Sequence, residues 1–438
     1  DRLAAGEADL WDSGRVGGER GRETNQIAYA GRPLVSRTQC HWRVRVWDEN
    51  GRETAWTPPA RWAMGLLHPD DWTAQWISYR DREPLHQDRK KLFLPPARTF
   101  RRDFQTREGI TRATAYVSAL GLYDLHCNGS RVGDVYFLPG WSDYRQRAYY
   151  RTHDITTLVR AGGSNAIGAV LSDGWYSGYV GYGLMVGYGP NKVGRFFYGR
   201  TPALLVQVEI EYADGTRETI RSGPDWRVTD HGPIREADLI MGERHDARAD
   251  LGAWSSPGYD ATGWESAVLA ENNPNDRAVF HEGTGPREVQ LGFTRPVKLS
   301  AYPAPPVRVT QELPARAITQ PKAGAYIFDL GQNFAGIVRL KVKGAAGTTV
   351  QLRYGERLHA DGTLMTENLR KARATDTYIL RGDAGGEVWS PRFTYHGFQY
   401  VEVTGLPERP ALDTVTGLVL QNDTPPAGGF ECSDPVLT

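Results

Sequence analysis

Residues 122 to 130 read LYDLHCNGS, with Leu122, Leu125 and Cys127 interleaved with Tyr123, Asp124, His126 and Asn128. That near two-residue period makes a strand with one buried face. The strand must stop at Asn128-Gly129, since Asn-Gly tolerates positive φ and closes a tight hairpin. A second strand is expected over Val132 to Phe137, halted by Pro139-Gly140, with Trp141, Tyr144, Tyr149 and Tyr150 crowded behind it. A β-sandwich that displays one aromatic-rimmed edge has this pattern.

The rest of the chain agrees with that class. Long windows of 3.6-residue periodicity are lacking, while 49 Gly, 27 Pro, 13 Trp and 21 Tyr against 4 Met give the composition of short strands joined by turns. The 438 residues suffice for roughly two to four domains. A formal net charge of zero supplies no field to draw in nucleic acid or an anionic membrane, so neither is expected as a partner. No apolar run approaches the roughly 20 residues of a membrane helix. Cys40, Cys127 and Cys432 lie far apart without metal-ligand spacing, which predicts free, buried thiols and favours cytoplasm over periplasm or secretion.

In chain order, strands are expected at Gln26 to Tyr29, Gln39 to Trp47 and Arg61 to Met64, with a turn at Asp48-Glu49-Asn50-Gly51. The segment SRTQCHWRVRVWDENGRETAWTPPARWAMGLL resembles the fibronectin-III-like module that opens glycoside hydrolase family 78, the bacterial α-L-rhamnosidases. LGLYDLHCNGSRVGD followed by PGWSDYRQRAYYRTHDIT resembles their N-terminal jelly roll, whose last strand is expected near the YDATGW run at 259–264. IFDLGQN at 327–333, YGE at 354–356, DGT at 361–363, NLR at 368–370 and FTYHGFQY at 393–400 resemble the concanavalin-like supersandwich placed before the catalytic barrel.

The resemblance implies an all-β fold of tandem β-sandwiches. The modules are a truncated fibronectin-III-like module at 1–68, a jelly roll at 69–285, a β-sandwich at 286–425 and a connector at 426–438. An α/α-barrel catalytic domain is expected beyond Thr438 and with it the catalytic residues. The implied function is hydrolysis of terminal α-L-rhamnose from glycosides or polysaccharides with inversion. The implied partners are the rhamnosylated substrate, the protein's own barrel and a second copy in a homodimer. The alternatives are a stand-alone, non-catalytic carbohydrate-binding protein and a β-galactosidase-like exo-glycosidase that also carries a jelly roll.

Sugars stack on rings and hydrogen-bond to fixed polar groups, so carboxylates among aromatics and glycines are the candidates. In Ser172-Asp173-Gly174-Trp175-Tyr176-Ser177-Gly178, the side chains of Asp173, Trp175 and Tyr176 could hold a sugar; equally, Asp173 could cap its own turn while Trp175 covers a core edge. In Met241 to Arg248, alternation sets Glu243 and His245 on one face and Arg244 and Asp246 on the other, so Glu243 is a sugar candidate while Asp246 and Arg248 suit an ion pair. No cofactor is required, but some family members hold rhamnose through calcium, and Asp173, Asp238 and Glu243 offer hard oxygen ligands, with Asp173 and Asp238 the expected pair. His396, with Asp329, Gln332 and Asn333 nearby in the pattern, reads as a structural histidine on a face that docks on the barrel, and Gly397 suggests close backbone packing. The glycine- and tyrosine-rich loop from Gly178 to Gly189 lacks the context of a nucleotide loop.

Overall fold

The computed structural model describes residues 3, 6–16, 27–81, 94–179, 195–270, 277–282, 285–290, 296, 298–434 and 436–437. The chain divides into two units, Asp1–Thr73 and Ala74–Thr438. The loop from Gly178 to Gly189 lies outside the described residues beyond Tyr179.

In the first unit, Gln39–Trp42 pairs antiparallel with Ala60–Ala63. The strand expected as far as Trp47 stops at Trp42, and the reason is local. The Val44 and Val46 N–H groups donate to the hydroxyls of Thr57 and Thr54, while the Val44 and Val46 carbonyls accept from the Thr57 and Thr54 N–H groups. Half of that ladder is therefore side chain, and regular pairing returns only as a bridge from Trp47 to Glu53. Residues 27–29, expected as strand, form none.

The second unit begins as a two-sheet sandwich. One sheet orders Val268–Leu269, Ile77–Ser78, Ala203–Tyr212, Ile110–Leu120, Arg147–Asp154 and Lys298–Ala301, with Arg217–Arg221 hairpinned onto Ala203–Tyr212. The other orders Glu265–Ser266, Arg227–Thr229, Arg98–Gln105, Ser164–Ser172, Leu122–Cys127 and Ser130–Arg131. Phe100, Val117, Leu125, Ile167, Val206 and Trp226 fill the core. Asn128 at φ 49° and Gly129 at φ 86° make the expected two-residue turn between Cys127 and Ser130.

The strand expected over Val132 to Phe137 does not form. The Arg131 guanidinium takes the carbonyls of Gly133 and Val135 at 2.7 and 2.5 Å, so those groups are spent on a side chain and not on a ladder. Tyr136 instead bridges to Val307.

A second, ten-stranded sheet system is built on Ala325–Val342, which pairs with His396–Thr404, Val415–Asn422, Ala317–Lys322 and Glu387–Trp389. Its register shifts between Asp329 and Phe334, at the Gly331-Gln332-Asn333 irregularity. Phe328, Val338, Leu340, Tyr354, Phe398 and Val403 form its core. The hairpin Ile234–Asp238 with Gly242–Asp246 lies within the span expected for the jelly roll, yet its second strand runs parallel to Thr375–Ile379, with Arg244 opposite Thr377. Gly242 permits this approach: at φ 106°, a Cβ there would lie 2.1 Å from the Thr375 carbonyl oxygen. The fold is all-β and made of sandwiches; among the described residues, Gly174–Ser177 forms an α-helical turn.

Candidate functional site

The strand Ser164–Ser172 runs into Asp173, where Gly174 at φ 50° turns the chain into the helical turn Gly174–Ser177. The turn carries Asp173 inward. One carboxylate oxygen accepts from the Ser177 hydroxyl at 3.0 Å and the other from the buried Arg195 guanidinium, whose Nε also reaches the Ser177 carbonyl at 3.1 Å. Burial pushes the Asp173 carboxyl above its ordinary range, with Arg195 opposing and Asp238 adding to the rise. Asp238, 1% exposed, accepts the N–H groups of Tyr179, Ile240 and Met241. It organises the backbone turn that leads to Gly242.

These partners do not fit a calcium ion. A guanidinium already meets Asp173, and Asp238 spends its oxygens on three backbone donors, so a hard cation would displace a cation and strip those hydrogen bonds. Among the described residues, no group of three or more His, Cys, Asp or Glu side chains could hold a metal. Excess EDTA is therefore expected to leave the thermal midpoint unmoved. A drop on chelation that calcium restores would overturn this assignment.

Tyr176 is also turned inward, 2% exposed and edge-on to Tyr144 at 5.4 Å between centroids. Glu243 is fully buried. Its Oε2 accepts the N–H groups of Arg392 and Phe393 at 2.9 and 3.1 Å, while Oε1 lacks a hydrogen bond and faces His245 Nδ1 at 3.9 Å. Burial lifts the Glu243 carboxyl to about 8, against the two backbone donors, and burial lowers His245 to about 4. The Glu243 N–H donates to Asp376, which also accepts from Tyr354 Oη at 2.6 Å and lies 3.2 Å from His396 Nε2. His396 stacks on Tyr354 at 4.0 Å, as befits a structural histidine. Gly397 does not pack against backbone: a Cβ there would meet nothing within 4 Å. Asp246 and Arg248 form the expected ion pair at 2.8 Å.

Of the expected sugar ligands, Trp175 alone reaches the surface. Its ring lies 5.8 Å from that of Trp141 at an interplanar angle of 7°, and Trp141 is 50% exposed. Phe137 packs edge-on to Trp175 at 6.2 Å and against Tyr395 at 5.4 Å, and Tyr395 is 41% exposed. Sequence reasoning placed Trp141 at an aromatic edge and Tyr395 beside His396 without joining them. Nothing in the local spacing does so, because the two residues sit on different sheet systems.

Three family models match the chain in order. A Rha78A-like, N-terminal immunoglobulin domain matches residues 2–68, an alpha-L-rhamnosidase N-terminal domain residues 108–311, and a bacterial alpha-L-rhamnosidase concanavalin-like domain residues 319–421. A Streptomyces avermitilis protein named alpha-L-rhamnosidase is 33% identical over 98% of this chain and 54% of its own length. That alignment runs over 589 positions against 438 residues here, so the Streptomyces protein carries long insertions relative to this chain. A Formosa agariphila protein of the same name is 31% identical over 98% of the chain and 43% of its own length. The crystal structure of the Streptomyces avermitilis alpha-L-rhamnosidase complexed with L-rhamnose superposes with a TM-score of 0.84 at 32% identity, covering 100% of this chain and 54% of that one. The alpha-L-rhamnosidase from Dictyoglumus thermophilum gives 0.82 at 32% identity, covering 99% and 45%. The chain spans about half the length of the curated relatives it matches.

Proposed function

Because this chain belongs to the α-L-rhamnosidase family and carries its three N-terminal modules in order, we propose that the whole protein hydrolyses terminal non-reducing α-L-rhamnose from glycosides or polysaccharides with inversion. The observation that carries this reading is the match in order over nearly the entire chain to relatives about twice as long. Inversion needs one carboxylic acid to protonate the leaving oxygen and one carboxylate to activate water, roughly 6.5 to 9.5 Å apart. Among the described residues, several buried carboxylates hold other partners. Asp124, Asp173 and Asp238 hold arginines or backbone donors, while Glu243 and Asp376 lock a hairpin to a sheet.

The acid and base are therefore assigned to an α/α barrel outside these 438 residues, and this chain supplies the accessory sandwiches. Its division into modules at 1–68, 69–285 and 286–425, with a connector at 426–438, is part of the same reading, the hairpin 234–246 being lent by one module to the sheet of the next and the strand Lys298–Ala301 lent back to the sheet of the first. Residues 426–434 are exposed and form no strand, which suits a connector. A homodimer is the proposed assembly.

The test is release of p-nitrophenol from p-nitrophenyl α-L-rhamnoside by the whole protein, with β-L-rhamnose as the first anomer seen by proton NMR. Folded protein that releases no rhamnose would sink the proposal; α-L-rhamnose as the first product would leave the family and remove inversion.

A further inference from the structure

Several rings among the described residues are capped by arginine, while others, such as the exposed Trp42 and Trp62, are not. Arg43 lies over Trp56, Arg107 over Tyr212, Arg151 over Tyr302 and Arg392 over Tyr136. Such caps satisfy a π-face with a cation and leave the ring unavailable. Trp141, Trp175, Phe137 and Tyr395 instead form a cluster of neighbouring rings with two exposed members. Among the described residues, no guanidinium lies over any of its rings. Among the described residues, the Trp141 and Trp175 indole N–H groups and the Tyr395 hydroxyl make no hydrogen bond, and none of the three is a buried orphan. Tryptophan and tyrosine ordinarily pair these groups when they serve a core.

The row is also held in place at a cost. Phe137 sits at φ 57°, a region that bulky residues avoid. That conformation turns its ring between Trp175 and Tyr395, and so joins a ring pair of the first sandwich to a residue entering the strand His396–Thr404. Below it, Leu122, Ile234, Leu239 and Phe393 form a buried floor against which Phe137 and Trp175 pack. Successive ring centroids are 5.8, 6.2 and 5.4 Å apart, the two indoles being parallel and Phe137 inclined to its neighbours.

We propose that Trp141, Trp175, Phe137 and Tyr395 form a metal-independent platform for the ring faces of neutral pyranose sugars. The apolar face of a pyranose stacks on an aromatic ring, and its hydroxyls accept from the unspent N–H and O–H groups at the row's edges. Among the described residues no arginine cap and no carboxylate contact meets these rings, which favours an uncharged ligand over a uronate or an ammonium sugar. The preference for L-rhamnose, whose 6-methyl group adds apolar surface, rests on the rhamnosidase reading; the platform itself does not.

The test is calorimetric titration of the whole protein with L-rhamnose, methyl α-L-rhamnoside, D-mannose and D-galactose, with and without EDTA. Saturable binding is expected that EDTA leaves unchanged and that W141A and Y395A each weaken about tenfold. Trp141 and Tyr395 are surface residues, so both variants should keep the wild-type thermal midpoint. Equal affinity in W141A and wild type would overturn the platform, as would absence of binding by all four sugars. Acrylamide quenching that W141A does not reduce would show the row covered by polypeptide, and would likewise overturn it. Binding of mannose or galactose without rhamnoside hydrolysis would leave the platform standing and remove the rhamnosidase reading. Hydrolysis without binding here would do the reverse.

Discussion

Arg392→Ala is expected to lower the stability of the second unit by about 3 kcal/mol, read from the denaturant midpoint, because it breaks the ion pair that ties the two sheet systems together. Asp124, on the strand Leu122–Cys127, accepts from Arg392 Nε at 2.8 Å and Nη2 at 3.2 Å, and from Arg131 Nη2 at 3.0 Å. Burial acts to raise its carboxyl, but the two guanidiniums outweigh it and hold the group at about 2. Removing one partner of a buried pair leaves the other paying its desolvation, ordinarily about 3–5 kcal/mol. The low end applies because Arg131 remains. The Tyr136 face under Arg392 would lose its cation as well. Arg392→Lys keeps the charge but not the two-pronged geometry, and should recover only part of the loss.

The sign with pH follows from the lowered value. A carboxylate held below its unfolded value of 3.8 contributes stability above that pH, and loses the contribution as pH falls towards about 2. Wild type and Arg392→Ala should accordingly converge in acid. A deficit below about 1 kcal/mol at neutral pH would mean that the pair behaves like a surface salt bridge, and the account of the interface would fall.

The all-β class and the Asn128-Gly129 hairpin were legible because period-two alternation and positive φ are properties of a few neighbouring residues. Val132 to Phe137 misled because its backbone carbonyls are taken by Arg131, a choice between side chain and ladder that alternation does not encode. Asp173, Tyr176 and Glu243 looked like ligands since they stand among glycines and aromatics. Their burial depends on partners 22, 32 and 149 residues away in Arg195, Tyr144 and Arg392. Gly397 failed in the other direction: a glycine in a strand reads as close backbone contact, and here it faces open space. Trp175 is half-buried and packs on the cluster of Leu122, Ile234, Leu239 and Phe393, the core-edge position its segment also allowed.

Glu243 gives the second large effect, with the opposite pH sign. Its folded value of about 8 lies above the model-compound value of 4.5, so between those limits the folded state holds a proton that the unfolded state has lost. Stability should fall as pH rises through this window, by at most about 1.4 kcal/mol per unit, and the loss should be complete above about 8. Burial is the main reason that ionisation is disfavoured. The Arg392 and Phe393 N–H groups and the Arg392 charge favour the anion, but Asp376 opposes it. His245 is held neutral by its own burial and supplies no charge. Glu243→Gln keeps an oxygen for the two backbone donors and has no proton to lose, so it should match wild type near pH 5 and exceed it increasingly up to pH 8. Glu243→Leu removes the acceptor and strands both N–H groups, which should cost about 1–3 kcal/mol for each at every pH. The measurement is the thermal midpoint of wild type and Glu243→Gln from pH 5 to 9. A gap between the two that does not widen with pH would mean that Glu243 is ionised in the folded protein, with a water or ion at Oε1 supplying what burial removes.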